Sequence, residues 1–557
     1  MNGMDHQQAG TPVHFDVAIA GYGPAGATLA GLLGRRGLSV GVFDKAVQIH
    51  AQPRAVGFDH DAMRLFQRIG IAADLAPHVE HFRDSQYLGA AGQVIQNVRR
   101  MPPPHPYTWA PNYTCDQPGV EAVLRSAVQR MGNVHVATGC ELVDARDEGE
   151  CVAFELRDAA GRLHSHTADY LVGCDGASST VRRLMGVELE SLDYDEPWIV
   201  VDLKVDAAVL ARLPATNVQY CEPARPCTYI VCPGNHRRWE FMLLDGEPRD
   251  GALTPERLWA LLARWLAPHE ASIWRAASYR FHALIAHDWR RGRLLLAGDS
   301  AHQTPPFLGQ GMCQGLRDAG NLAWKLDLVI RGRAGQGLLD SYTQERRPHV
   351  AATTRMAKQL GLMLSERDPA RAAARDERML AGAGGKAPTL IRQDLIPGLG
   401  AGLLDLHSAM AGQPFPQPLV RWAAGEAALL DDVLGPCLHL VVNGRGDTQA
   451  LRLQAQARAI PLLAVVDKDA RAGQATAPDE GQLLEGEGLV QRWFAAAGAC
   501  GALVRPDHYV YGTFNTAEEA AALMDAAGLG LRAEEPPVNA VQRSVQKPSL
   551  AAPVGRS

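Results

Sequence analysis

Phe15-Asp16-Val17-Ala18-Ile19-Ala20-Gly21-Tyr22-Gly23-Pro24-Ala25-Gly26 decides the fold of the N-terminal half. Phe15 to Ala20 is apolar, β-prone and of strand length. The glycine turn after it opens a helix that runs to about Arg36, where Gly37 ends it. Leu38 to Phe43 is a second apolar strand. Strand, glycine turn, helix and strand within about 30 residues make one βαβ unit. Strands joined through a helix are parallel, so this region is predicted to be α/β with a parallel sheet.

The glycines of Gly21-x-Gly23-x-x-Gly26 have separable tasks. Gly21 permits the tight turn, Gly23 lets backbone approach a pyrophosphate, and Gly26 lets helix and strand pack closely. The helix N-terminus, with Pro24 and Ala25 in its first turn, offers free N–H groups and the positive end of a dipole to phosphates. Asp44 stands eighteen residues after Gly26 at the end of the second strand, with Lys45 next to it. A carboxylate there accepts hydrogen bonds from an adenosine ribose and disfavours a 2′-phosphate, so the dinucleotide expected is FAD or NAD rather than NADP.

Two later motifs repeat the theme. Gly298-Asp299-Ser300-Ala301-His302 follows the apolar run Leu294 to Ala297 and leads through Pro305-Pro306 to Gly309-Gln310-Gly311-Met312 and a helix. Asp299 is placed to take ribityl or ribose hydroxyls. The helix N-terminus near Gly311 is placed to stabilise negative charge at the electron-accepting end of a flavin ring. Gly173-Cys174-Asp175-Gly176-Ala177-Ser178-Ser179 reads by itself as a turn capping a helix.

The rest of the chain bounds the answer. Its 557 residues suggest three or four domains, or two large and one small. A hydrophobic share of 46% and a charged share of 21% are ordinary for a globular protein. A net charge of −6 lacks the basic footprint of a nucleic-acid binder. No apolar run reaches the ~20 residues of a membrane span, and Met1 to His14 is polar, so a soluble cytoplasmic protein is expected. The ten cysteines are scattered without a CxxC pair, which reads as isolated thiols rather than a zinc or disulfide framework. No HExxH or carboxylate cluster asks for a metal.

Taken together, the three glycine-acid motifs resemble those of the FAD-dependent aromatic hydroxylases, the single-component flavin monooxygenases. Pro53-Arg54-Ala55 and Gln117-Pro118 with Glu121 and Leu124 match as well. Trp198 to Asp202, Arg238-Trp239-Glu240-Phe241-Met242, Gln344 to Arg347 and Arg505-Pro506-Asp507 are similar to the subfamily acting on 3-(3-hydroxyphenyl)propionate or 3-hydroxycinnamate.

The resemblance implies a Rossmann-type FAD-binding domain with an inserted antiparallel-sheet substrate domain, like p-hydroxybenzoate hydroxylase, and a C-terminal thioredoxin-like domain without CxxC. The segments expected are 1–185 and 286–400 for the FAD domain, with 80–115 turned toward the substrate domain. The substrate sheet is expected over 186–285, the C-terminal domain over 401–535 and a flexible tail over 536–557. Ser365 to Gly402 reads as a linker or a helix with loops, and Ala502 to Val510 as a strand.

The chemistry implied is reduction of bound FAD by transient NADH or NADPH, uptake of O2, and transfer of one oxygen from a flavin C4a-hydroperoxide to a phenol. A homodimer is the family-level expectation. Cofactor contacts carry over to Gly21, Gly23, Pro24, Ala25, Gly26, Asp44, Lys45, Arg54, Gln117, Asp175, Gly298, Asp299, Pro306, Gly309, Gly311 and Met312. For the substrate, the sheet residues Tyr220, Arg225 and Tyr229 are candidates together with Gln303 and Pro306. Arg225 would pair a carboxylate, and one of the two tyrosines would orient the phenol and help remove its proton. His302 reads as a packing residue.

Cys313 stands where the family usually has Asn, which places a thiol near the ring and open to oxidation. With no second GxGxxG, NAD(P)H would bind over the surface. The Trp-x-Trp-x-Ile signature of flavin halogenases is missing. Alternatives are the hydroxylase of a bulkier phenol, or a non-hydroxylating FAD oxidoreductase or redox sensor.

Overall fold

The computed structural model describes residues 13–247, 253–422, 426–444, 449–467 and 482–528. The polar start of the chain up to residue 12 and the tail from Pro536 lie outside the described residues. His14–Ala20 is a central strand, parallel to Val40–Asp44 on one side and to Leu163–Gly173 on the other. Val134–Thr138 and Leu294–Leu296 extend this parallel core outward. Both faces are covered, which is why Val17 to Ile19 are apolar without alternation and fully buried. The helix Pro24–Arg35 packs against the helix Gly311–Ile330, so two segments nearly 300 residues apart form one nucleotide-binding layer.

A second sheet of nine strands runs in the order 302–303, 271–286, 189–205, 236–242, 227–231, 217–220, 85–88, 94–99 and 389–391. Its centre is antiparallel. Segment 85–99 reaches into it as two strands. Ser365 to Gly402 is more ordered than a linker: it holds the helix Pro369–Ala381 and the strand Thr389–Ile391, which pairs with Val94–Arg99. A three-residue strand has no period of its own to read in a sequence.

One face of the sheet packs on the helix Pro255–Leu262 through Val218, Tyr220, Tyr229, Trp239, Phe241, Leu258 and Leu262. The opposite face looks toward the nucleotide layer.

The C-terminal unit is a seven-stranded mixed sheet whose centre, 439–443, 462–467 and 482–485, is parallel. The single strand expected over Ala502 to Val510 is instead the hairpin Gly501–Val504 and Val510–Phe514. Pro506 cannot donate to a ladder, and His508 turns the chain at φ +70. This unit is fastened to the body by buried ion pairs. Arg64 is bidentate to Asp431 at 2.8 Å twice, and Arg505 and Lys325 share Glu345 at 2.7 and 2.8 Å.

No helix among the described residues is long and apolar enough to cross a membrane. All ten cysteines are free, and no cluster of three metal-ligating side chains occurs among the described residues.

Candidate functional site

Gly21 sits at φ +101, and a Cβ there would overlap the carbonyl of Cys174. A Cβ at Gly26 would overlap the carbonyl of Gly21. Both are needed for packing, and neither lines a cavity. Gly23 is different: a Cβ there would meet nothing within 4 Å, because the residue faces open space. The helix starting at Pro24 has no side-chain cap, so its first N–H groups stay open. Asp44 accepts from Tyr22 N–H at 2.7 Å and Ala46 N–H at 2.8 Å, which locks the glycine turn to the second strand. It keeps lone pairs toward solvent. Lys45 is exposed beside it.

Gly23, Pro24 and Ala25 open onto a cavity of about 880 Å³, near the top of the range for ligand sites (about 300–1,000 Å³). Arg54, Gln117, Gly298, Asp299, Gln303, Pro306, Gly309, Gly311 and Met312 line it as well. A shallower depression of about 750 Å³ on the C-terminal unit, by Leu404 to Ala409, holds none of these residues.

The Asp299 carboxylate accepts no hydrogen bond from the described residues and faces the cavity. Its depth among protein atoms pushes its pKa up. The turn below it is rigid: Gly298 N–H donates to Asp318 at 3.0 Å, and His302 Nε2 meets the same carboxylate at 2.7 Å. His302 is thus a buried structural residue. Gly311 begins the twenty-residue helix with open space before it, and Gln310 is pinned by Asp59 at 3.2 Å and Arg317 at 2.9 Å.

Several expected contacts are corrected. Asp175 caps the following turn, accepting from Ser179 Oγ at 2.5 Å and Thr180 N–H at 2.6 Å, and does not line the cavity. Gln117 lines it, with Oε1 accepting from Arg54 and Ala55 N–H at 2.8 and 2.6 Å and one hydrogen of Nε2 donated to Glu121. Its work is to hold the 53–55 loop. Cys313 is buried with Sγ toward the Gly309 carbonyl and burial raises its pKa, so the thiol is neutral and turned from the cavity.

The substrate candidates on the sheet fall on the wrong face. Tyr220 accepts from Trp265 Nε1 at 3.1 Å, and Tyr229 donates to the Pro214 carbonyl at 3.2 Å, both inside the core under the Pro255–Leu262 helix. Arg225 is bidentate to Glu247 at 2.7 and 2.8 Å and also lines no part of the cavity. For the two tyrosines the reason is the period of two, since shifting by one residue exchanges faces. Arg225 lies in the turn between Asn217–Tyr220 and Cys227–Val231. Residues paired directly across five strands, Glu240, Thr228, Gln219, Tyr87 and Gln96, form one row on the cavity side. The alternation Arg238-Trp239-Glu240-Phe241 carried this signal, with the polar residues facing an internal cavity instead of water.

Behind the row, Asp202 is buried against Arg238 at 2.7 Å, His236 at 2.7 Å and Arg275 at 3.3 Å. Opposite stands Arg392, stacked 4.9 Å over Phe82 and donating to the Leu308 carbonyl. It forms no ion pair among the described residues, and burial lowers its pKa. Arg392 comes from the segment read as a linker or a helix with loops, and no sequence signal singled it out. Phe281 and Phe307, edge to face at 5.9 Å, complete an apolar wall.

The cavity therefore has two lobes. One, with an open glycine at a bare helix N-terminus and an unpartnered carboxylate, fits a dinucleotide. The other, aromatic with one polar row, fits a small ring.

Comparison with known proteins agrees with both. The FAD binding domain family model matches residues 14–357, and an HcaD C-terminal domain model matches 412–528. The chain is 36% identical over 511 residues to a probable NADH-specific resorcinol 4-hydroxylase of Rhodococcus jostii, covering 91% of this chain and 93% of that protein. It is 35% identical over 532 residues to a 3-(3-hydroxy-phenyl)propionate/3-hydroxycinnamic acid hydroxylase of Burkholderia cenocepacia, covering 92% and 94%. Its fold is similar to the flavin-dependent monooxygenase PieE, solved with FAD and substrate: TM-score 0.78 at 20% identity, over 94% of this chain and all of that one. The chain belongs to the FAD-dependent aromatic hydroxylases, a family of monooxygenases.

Proposed function

We propose that this enzyme hydroxylates a phenol bearing a carboxylated side chain meta to its hydroxyl, of the 3-(3-hydroxyphenyl)propionate or 3-hydroxycinnamate kind, with NADH as electron donor. The observation that carries the substrate class is Arg392: a cation with no carboxylate partner among the described residues, on the wall of an aromatic lobe. A guanidinium left there is costly unless an anion comes to it.

Bound FAD supplies the redox chemistry that activates O2. The chain's own residues do the rest. Gly23 and the helix start at Pro24 would hold the pyrophosphate, Asp44 the adenosine ribose, and Asp299 the hydroxyls of the sugar chain. Backbone N–H groups at Gly311 and Met312 would face the ring's carbonyl end and stabilise charge there. Phe281, Phe307 and Phe82 exclude water from the aromatic lobe, and Gln303 and Pro306 shape its floor. The C-terminal unit, thioredoxin-like in our reading, has a structural role.

The test uses purified enzyme with FAD, O2 and either nicotinamide, with 3-(3-hydroxyphenyl)propionate, 3-hydroxycinnamate and resorcinol in parallel. Stimulated NADH oxidation and a product one oxygen heavier support the reading. A second reading, hydroxylation of resorcinol itself, is favoured by the polar row, which offers partners to two ring hydroxyls. Faster coupled turnover of resorcinol than of either acid would select it.

A further inference from the structure

We infer that Glu240 accepts the phenolic proton of the substrate, and so serves as the general base of the hydroxylation. The inference rests on the hydroxylase reading above and replaces the tyrosines on the far face of the sheet.

The argument is geometric first. Glu240 is only 5% exposed, and what remains exposed opens into the cavity. Its carboxylate accepts no hydrogen bond from the described residues; the nearest cation is Arg238, at 3.8 Å. Buried carboxylates without donors are rare, because each lone pair given up to an apolar site costs free energy. A phenolic O–H entering the lobe supplies the missing donor.

The other titratable groups that line the cavity are committed or remote. Asp299 belongs to the dinucleotide lobe, and His282 is paired with Asp195 at 3.4 Å. His50 hydrogen-bonds within its own exposed loop at 3.0 Å. Burial pushes the phenols of Tyr87 and Tyr113 and the thiol of Cys174 upward, which makes them poor proton acceptors near neutrality, and the Tyr279 hydroxyl already accepts from Arg275 Nη2.

Charge around Glu240 suits the task. Burial raises its carboxyl to about 7, against the pull of Arg238 on its own strand and of Arg275 on 271–286. Asp202 on 189–205 pushes in the same direction as burial. The Cys227 thiol lies on the opposite face, in the core under the Pro255–Leu262 helix, and burial keeps it and the Cys232 thiol neutral. A base near 7 lies within about three pH units of a phenol (about 10), against about six for an exposed glutamate. In the step, the phenolic O–H bond breaks, the proton passes to a Glu240 oxygen, and the electron pair stays on the phenolic oxygen. That raises electron density at the ring carbons that take the oxygen. When the ring regains aromaticity, the hydrogen on the oxygenated carbon leaves as a proton and the phenolic oxygen takes back the proton held by Glu240, which restores the carboxylate.

The experiment compares the wild-type holoenzyme with Glu240→Gln in single-turnover hydroxylation across pH 5.5–9. A phenol and its fluorinated, more acidic analogue serve as paired substrates. In the wild type the rate is expected to rise through a limb near pH 7. In E240Q that limb disappears, hydroxylation falls by about 100-fold, within the range for general-base catalysis, and peroxide release rises. FAD stoichiometry and flavin reduction by NADH are measured on the same samples, so that loss of cofactor or of reduction is told apart from loss of the proton acceptor. The fluorinated phenol recovers a large part of the loss, which a merely structural role would not produce.

An E240Q enzyme with the wild-type pH profile, or an equal loss for both phenols, overturns the assignment. If E240Q loses FAD, Glu240→Asp is measured instead: a slower rate with a displaced limb supports the role, and an undisplaced limb overturns it. A wild type that oxygenates no phenol overturns the reaction and this role together, whereas a competent wild type beside an unchanged E240Q removes the role alone.

Discussion

Arg238 and Asp202 face each other on neighbouring strands, Nε to Oδ1 at 2.7 Å and Nη2 to Oδ2 at 3.0 Å, while the arginine's Nη1 and Nη2 also reach the carbonyls of Arg54 and Pro53 at 2.9 and 2.8 Å. One side chain thus ties the substrate sheet to the loop that lines the dinucleotide lobe. Arg238→Ala leaves Asp202 buried with less compensation, an effect of about 3–5 kcal/mol when one partner of a buried pair is removed. It also frees the 53–55 loop. Thermal unfolding without FAD, and FAD titration, should both show losses. An unchanged FAD affinity would mean that Gln117 and Arg275, whose Nη1 donates to the Pro53 carbonyl at 2.6 Å, position the loop without Arg238.

The glycines of the first turn should separate in mutagenesis. Gly21→Ala places a Cβ into the Cys174 carbonyl at a positive φ, so it should destabilise the folded protein itself. Gly23→Ala meets open space and should leave unfolding of the FAD-free protein unchanged while weakening FAD by at least about tenfold, as the methyl occupies the approach to the pyrophosphate. Equal stability losses in both variants would contradict this division.

Arg392 should discriminate by substrate. Arg392→Gln removes a charge-assisted bond worth about 1.5–3 kcal/mol, so KM for 3-(3-hydroxyphenyl)propionate should rise about 10- to 100-fold. KM for resorcinol, which has no carboxylate, should move little. Parallel losses for both substrates in steady-state assays would move Arg392 from substrate recognition to shaping the loop at Leu308.

Acid should loosen the C-terminal unit. Burial lowers His508 and His439 to about 4, from an ordinary value near 6.5. Between pH 4 and 6.5 the unfolded chain therefore binds more protons than the folded one. Their stabilising contribution is complete above about 6.5 and lost as pH falls toward 4. Urea midpoints followed by tryptophan fluorescence should decline across that window, and His508→Asn should flatten the decline. Asp431 acts lower still: burial raises its pKa, but Arg64 and His508 more than offset this, so its share is lost only in strong acid.

Much of the dinucleotide lobe was legible because its requirements are local. A turn needs φ beyond the reach of a side chain at Gly21, and a close approach needs a missing Cβ at Gly23; both mark the sequence directly. The Asp299 turn and Gly309 to Met312 are legible for the same reason. Asp175 was misassigned because a polar residue beside a motif can bond either ligand or backbone, and only the tertiary structure shows the Thr180 N–H group taking its oxygen. Gln117 does line the cavity, and its oxygen also holds the Arg54 and Ala55 N–H groups.

The amino-acid sequence by itself determined the α/β nucleotide layer, since short-range sterics and hydrophobic runs encode it within thirty residues, and the three glycine-acid motifs taken together pointed to the family and to FAD. Which side chains meet the substrate was decided by tertiary structure alone. Tyr220 and Glu240 sit in equally plausible strands, and the face each presents depends on which side of the sheet receives the helix Pro255–Leu262 and which closes over the nucleotide layer. Arg392 reaches the same lobe through a three-residue strand paired nearly 300 positions away. Period-two alternation records that two faces differ; long-range packing chooses which of them becomes the active site.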